Sequence, residues 1–297
     1  MSAANRSDTL LSVSVSVKSL LSALSVRGPH RVLRGNLGIA GQPGVVYTPE
    51  SGSNLPAVAF AHGWLTSSEN YKSLLEHVAS WGFVVAAPDT ERGPIPSHLD
   101  LASDLLTTLD IVSKVRLGDG TISVHPDRLA LAGHGMGAGA AVIAAAQRRV
   151  AAVTALFPAP TSPAAENIAA DLDTPGLILA GELDLDSTNS NARALATAWS
   201  GPSLLRTVDG ATHTGIIEGR RLFAALGAGR YEHKTEKTTR AVLTGYLLHT
   251  LTADKTYAPF TDPESTIPHT TLVDPTAPVE EATPKLSLGT VAKLIRG

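Results

Sequence analysis

The stretch Leu129-Ala130-Leu131-Ala132-Gly133-His134-Gly135-Met136-Gly137-Ala138-Gly139 constrains the fold of this chain more than any other. An apolar run of strand length meets a glycine-rich turn, and the turn opens into the alanine-rich, helix-forming Ala140 to Gln147. Small residues two before and two after the centre let a backbone turn tightly where any β-carbon would clash. In Gly133-His134-Gly135-Met136-Gly137 both flanking positions are glycine, and so is the centre.

The rest of the chain repeats the strand-then-helix theme. Arg31 to Gly38 and Val45 to Pro49 read as two early strands around the turn Gly41-Gln42-Pro43-Gly44, and Glu50 to Leu55 as a polar loop. Ala57 to Ala61 and Phe83 to Ala87 are wholly apolar, as expected of strands covered on both faces. Val150 to Phe157, Gly176 to Ala180 and Ser203 to Val208 continue the series. Helical spacing falls between them, at Ser68 to Trp81, Leu99 to Val115, Pro163 to Ala170, Asn189 to Trp199, Ile216 to Leu226 and Thr238 to Thr250. Such alternation predicts an α/β fold: a mostly parallel sheet with helices on both faces.

This reading gives a core domain over residues 28–257, a leader over 1–27 and a proline-rich tail over 258–297. In the leader, Leu10, Val13, Val17, Leu20 and Leu24 share one helical face, while Leu11 to Val17 also alternates like a strand. It is expected to pack on the domain as a helix, or else to act as a lid, a membrane-surface segment or an oligomer contact. The tail carries Pro259, Pro263, Pro268, Pro275, Pro278 and Pro284 and reads as linker-like, closed by a short helix at Leu286 to Ile295. Leader and tail are the expected contact points for any protein partner.

Composition narrows the function classes. A net charge of −3 over 297 residues offers no basic field for nucleic acid. The chain has no cysteine, which excludes disulfides, thiolate metal sites and a cysteine nucleophile. Ser12, Ser14, Ser16, Lys18 and Ser19 interrupt the apolar N-terminal residues, so the segment does not read as a secretory signal. No run approaches the roughly 18 uninterrupted apolar residues of a spanning helix. These features give the expectation of a cytoplasmic protein.

A strand-to-helix turn written G-x-S-x-G is a nucleophile elbow, and an acid and then a histidine follow it along the chain. Both follow here. Gly181-Glu182-Leu183-Asp184 directly succeeds the strand ending at Ala180, with Asp186 as the fallback acid. Gly210-Ala211-Thr212-His213 succeeds the strand ending at Val208, the seat of the general base. Two backbone N–H groups form the oxyanion hole of such a site: here those of Met136, after the elbow centre, and of Trp64, in the loop His62-Gly63-Trp64-Leu65. His62 and His134 are expected to hold their loops rather than to catalyse. Trp64 and Met136 would also wall an apolar pocket or serve ordinary packing. The loop Glu91 to His98 falls where it would shape the site.

Over residues 28 to about 257 the chain resembles the α/β-hydrolases grouped with dienelactone hydrolases, and within them the bacterial cutinases and polyester hydrolases and the plant chlorophyllases. The resemblance rests on Ala57 to Trp64, His77 to Thr90, Gly133 to Gly137, Gly181 to Asp184 and Ala211 to His213. It implies an α/β-hydrolase fold and cleavage of carboxylic esters through a serine acyl-enzyme, with no metal or organic cofactor. That implication carries over to Trp64, Met136, Asp184 and His213. It breaks at Gly135, which occupies the nucleophile position.

Two readings of Gly135 follow. Without a hydroxyl no acyl-enzyme forms there, so the fold would serve to bind a small apolar or ester-like ligand or a protein partner. Alternatively the chain hydrolyses esters with a water activated by His213, or is a serine esterase silenced by a deliberate Ser-to-Gly exchange.

Overall fold

A computed structural model describes residues 16–219 and 231–278. Its spine is one nine-stranded sheet in the order β1-β2-β4-β3-β5-β6-β7-β8-β9. The strands are β1 (Val32–Asn36), β2 (Gly44–Pro49), β3 (Gly52–Ala61), β4 (Val84–Pro88), β5 (Ile122–His134), β6 (Ala152–Leu156), β7 (Gly176–Gly181), β8 (Ser203–Val208) and β9 (Thr270–Leu272). The block from β4 through β3 to β8 is parallel; β2 lies antiparallel to both β1 and β4, and β9 antiparallel to β8. The fold is that of an α/β-hydrolase, as the alternation predicted.

The apolar strands are apolar because both their faces are covered. In β5, Leu129 and Leu131 face one core while Ala130 and Ala132 face the other. The first core holds α3 (His98–Lys114), α4 (Met136–Ala145), α5 (Ala165–Ala169) and α6 (Ala192–Ala198). The second holds α1 (Val17–Leu24), α2 (Lys72–Ser80) and α7 (His233–Thr252). Surface helices keep one apolar stripe, but all ten residues of α4 are buried. Its alanines and glycines are small because it lies close against the sheet.

Some expectations need correction. The helix expected over Ser68 to Trp81 begins as a 3-10 turn at Ser68–Tyr71 before α2, and the Ser68 N–H donates to Asp89 Oδ1 at 3.0 Å. Glu50 to Leu55 is not a loop throughout: Gly52 onward is strand, pairing with the start of β5. The tail is not linker-like as far as residue 278. Phe260 and Ile267 are fully buried, and β9 adds the edge strand. The buried Arg206 of β8 fixes this segment by donating to the carbonyls of Asp262 (3.3 Å) and Ser265 (2.9 Å). Pro259, Pro263, Pro268, Pro275 and Pro278 did not prevent packing, since none of them lies in a strand. The leader packs from α1 onward, with Leu20, Leu21 and Leu24 buried and the Ser25 carbonyl accepting from Arg240 at 2.7 Å. Residues 1–15, most of the helix expected over 216–226, and the closing helix of the tail lie outside the described residues. Residues 216–219 are not helical.

Candidate functional site

The elbow forms where sequence spacing put it. β5 ends at His134, α4 begins at Met136, and Gly135 between them has φ 58° and ψ −121°. That backbone is strained for any residue with a side chain. The Gly135 N–H donates to Leu156 O (3.1 Å), and its carbonyl accepts from Ala138 and Ala159 (both 3.2 Å).

The three glycines of the motif are there for different reasons. A β-carbon at Gly133 would strike the carbonyl of Gly137, and one at Gly137 would strike the carbonyl of Ala61. Those two positions must be glycine for α4 to sit against β3 and β5. A β-carbon at Gly135 would lie 3.4 Å from His213 Nε2 and 3.7 Å from Gly63 Cα, ordinary contact distances. Position 135 therefore has room for a side chain, and such a side chain would meet the imidazole.

His213 reaches this place on the loop after β8. Glu232, just ahead of α7, holds the loop by accepting from Thr212 N (3.2 Å) and Thr212 Oγ1 (2.8 Å), while its own N–H donates to Gly215 O (2.8 Å). Asp184 arrives on the loop after β7, with Oδ2 3.7 Å from His213 Nδ1. Gly181 permits this approach, because a β-carbon there would strike both Asp184 Oδ1 and the Ala211 carbonyl. Asp186 faces elsewhere. It takes a two-pronged ion pair from Arg193, at 2.7 Å from Nε and 3.2 Å from Nη2.

Behind the turn lies a buried polar chain. The His134 ring is 1% exposed and its Nε2 lies 2.8 Å from the His213 carbonyl, which can only accept. Nε2 therefore carries the proton and Nδ1 accepts from Tyr71 Oη at 2.9 Å. Tyr71 Oη in turn accepts from the Gly63 N–H at 3.0 Å. Three loops, after β3, β5 and β8, are thus tied by two side chains. His62 also holds its loop, its ring lying 2.8 Å from Gly63 O and 2.7 Å from Thr90 O. Trp64 is half exposed, its indole N–H donating to Pro94 O (3.1 Å) in the loop after β4. Met136 is buried at the head of α4, where the first N–H groups of a helix have no intrahelical partner.

Gly135, Asp184, His213, Trp64 and Met136 thus gather at the carboxyl ends of β3, β5, β7 and β8. Sequence reasoning missed Glu232 and Tyr71 as loop holders. Tyr71 carried a signal, as part of an apolar helical face, that did not distinguish packing from a buried hydroxyl. No group of three or more His, Cys, Asp or Glu among the described residues is arranged to hold a metal ion. No helix among them is long and apolar enough to cross a membrane.

Burial, and then the nearby charge of Glu232, push the Asp184 carboxyl up to about 6, while N–H groups of His213 and of Asp184 itself oppose the shift. Between about pH 4 and pH 6 the folded chain holds a proton there that the unfolded chain has released. The contribution of this group to stability therefore falls as pH rises through that window and stays low above it, by about 2 kcal/mol once the ~3 kcal/mol of a two-unit shift is reduced for the solvent screening of a half-buried group. Asp184→Asn removes the titration. Urea unfolding should show the variant gaining on the parent chain by that amount between pH 4 and pH 7; parallel curves would refute the assignment.

The family model described as PETase, PET hydrolase-like, matches residues 16–197, more than half of the chain. The match takes in the elbow and Asp184 and ends before His213. A chlorophyllase type 0 from Chenopodium album is 30% identical over 106 residues, covering 33% of this chain and 30% of the relative. A cutinase, est1, from Thermobifida alba is 32% identical over 109 residues, 35% of each chain. The chain matches about a third of the length of these curated relatives. With the fold, the elbow and the matched span in agreement, the chain belongs to the PET hydrolase-like family of α/β-hydrolases.

Proposed function

We propose that this chain binds a small apolar, acyl-bearing ligand at the esterase site of its fold without turning it over through an acyl-enzyme. One observation carries the reading: the position that faces His213 Nε2 is Gly135, where a β-carbon would lie 3.4 Å from that nitrogen. The imidazole has no side-chain hydroxyl at the elbow to deprotonate, so the covalent route is closed. The residues around it support the reading. Asp184 stands beside His213, the Met136 amide heads α4, and Trp64 offers an exposed indole on the loop that would supply the second oxyanion donor.

A second reading is supported by the retained Asp184–His213 pair at 3.7 Å, which a pure binding site does not need. In it, His213 activates a water for direct attack on a bound ester, and the chain is a slow carboxylic-ester hydrolase. The two readings separate in one assay. Purified chain is expected to show no hydrolysis of p-nitrophenyl acetate or butyrate beyond that of a His213→Ala variant. Turnover that disappears in His213→Ala would establish the hydrolase and discard the binding protein.

A further inference from the structure

A groove lined by none of the elbow residues lies between three segments distant in sequence: α1, the first turns of α7, and the turn at Pro268-His269 ahead of β9. Its volume is about 330 Å³. We propose that this groove binds a single-chain anionic amphiphile, with the alkyl chain on its floor and the head group among lysines of α1 and α7.

Helical spacing supplies two of the walls. Lys18, Leu21, Ser22 and Ser25 share one face of α1, and Lys234, Lys237 and Thr238 share one face of α7. The helices are fastened to each other, because Leu20 and Leu24 enter the core and Arg240 of α7 donates to the Ser25 carbonyl at 2.7 Å. The third wall is fixed from beneath. Ile267 is fully buried, and its carbonyl accepts from Thr270 N (3.2 Å) and Thr270 Oγ1 (2.9 Å). The His269 carbonyl accepts from the Asp209 N–H at 3.1 Å. This turn holds His269 at φ 64°, a backbone that is costly for a residue with a β-carbon. The groove is therefore built before any ligand arrives, and binding need not order it.

Charge selects the head group. The chain carries a net −3, yet three lysines line this groove and no acidic residue does among the described residues. The lysine ion pairs among the described residues are those of Lys72 and Lys114, so these three ammonium groups have no carboxylate partner there. The acidic residues beside them on α7 are engaged elsewhere: Glu232 accepts from Thr212 and Thr235, and Glu236 pairs with Arg240. Like charges around one cavity repel each other, and an anion between them relieves the repulsion.

Shape selects the body. Leu21 on the floor is only 7% exposed and Pro268 is half-buried, so the apolar surface is recessed behind the exposed lysines. A bilayer face is met by protruding apolar side chains, whereas a recessed floor takes a chain that enters it. The volume is at the lower end of small-molecule sites, roughly 300 to 1,000 Å³, which suits one alkyl chain.

The test is calorimetric titration of the full chain at neutral pH with decyl phosphate, decanoate, decanol and inorganic phosphate, each below its micelle threshold. Decyl phosphate is expected to bind most tightly and decanoate next. Decanol and inorganic phosphate, each with half of the recognised features, should bind about tenfold or more below decyl phosphate. Added salt should weaken the two anionic amphiphiles and leave decanol unaffected. Lys18→Glu/Lys237→Glu should weaken decyl phosphate about tenfold or more without lowering the melting temperature, since both side chains are exposed. Ser22→Trp, placed on the exposed side of α1, should fill the groove and weaken every alkyl probe. Decanol or inorganic phosphate binding as tightly as decyl phosphate overturns the inference. So does decyl phosphate binding that the lysine exchanges leave unchanged, which would seat the ligand elsewhere. Binding to phosphatidylglycerol vesicles with none to decyl phosphate would make this a membrane face and overturn it as well.

Discussion

Gly135→Ser is expected to convert the chain into an esterase, hydrolysing p-nitrophenyl butyrate about 10³-fold faster than the parent or more. The estimate is set against a serine protease in which loss of the nucleophile cost about 2 × 10⁶ in rate. The β-carbon of residue 135 has ordinary contacts only, 3.4 Å to His213 Nε2 and 3.7 Å to Gly63 Cα. A hydroxyl one bond further falls within reach of the base. Asp184 Oδ2 stands 3.7 Å from His213 Nδ1, a small shift from holding the imidazole, and the amide donors belong to the backbone, which the substitution leaves alone. The backbone at φ 58° exacts a cost of about 1–3 kcal/mol once a β-carbon is present, so the variant should melt earlier while it gains activity. Such opposite movement of stability and rate is the mark of a nucleophile at a strained turn. The gain should include an initial burst of p-nitrophenol and should vanish in Gly135→Ser/His213→Ala. A folded but inert Gly135→Ser would locate the fault at the longest link of the set, the 3.7 Å between Asp184 Oδ2 and His213 Nδ1.

Why those residues could be found in the sequence, and others not, has a physical explanation. Gly133 and Gly137 stand out because a buried helix cannot approach two strands through a β-carbon, so the motif records a steric requirement directly. Asp184 and His213 each come just after a strand, and a parallel sheet brings all such strand ends to one edge. Asp184 and Asp186 could not be separated by position alone. The difference lies in Arg193, seven residues beyond Asp186, which claims that carboxylate. Tyr71 and His134 are 63 residues apart, and the spacing that buries a tyrosine says nothing of where its hydroxyl ends. Glu232 acts across 20 residues on Thr212 from a position with no periodic signal at all. The ninth strand was hidden for another reason: Thr270 to Leu272 is short and mostly exposed, and its conformation is supplied by pairing with β8. What the sequence encodes locally is legible; what a distant partner imposes is not.

The same distinction predicts the largest loss of stability. Gly137→Ala adds one methyl group to a helix, and helix propensity alone would make the change favourable by about 1 kcal/mol. Packing opposes it. The new β-carbon would meet the carbonyls of Ala61 and His62, backbone atoms at the end of β3 that have no rotamer with which to move aside. Either α4 lifts from the sheet or β3 and β5 part, and both movements open the cores on either face. The net cost should be on the order of 3 kcal/mol or more, and for a domain of this size the melting temperature should fall by roughly 6 °C or more. Gly135→Ala, the same chemical change two residues earlier, meets only ordinary contacts and should be the milder of the pair, its cost confined to backbone strain. The displacement should also be felt in function, because α4 carries the Met136 amide and β3 leads into Gly63. Combined with Gly135→Ser, the Gly137→Ala exchange should therefore lose most of the esterase activity the serine confers, even at temperatures where the double variant is folded. Equal melting temperatures for Gly137→Ala and the parent would mean that α4 stands further from β3 than this structure places it, and the elbow would then have no steric reason for its outer glycines.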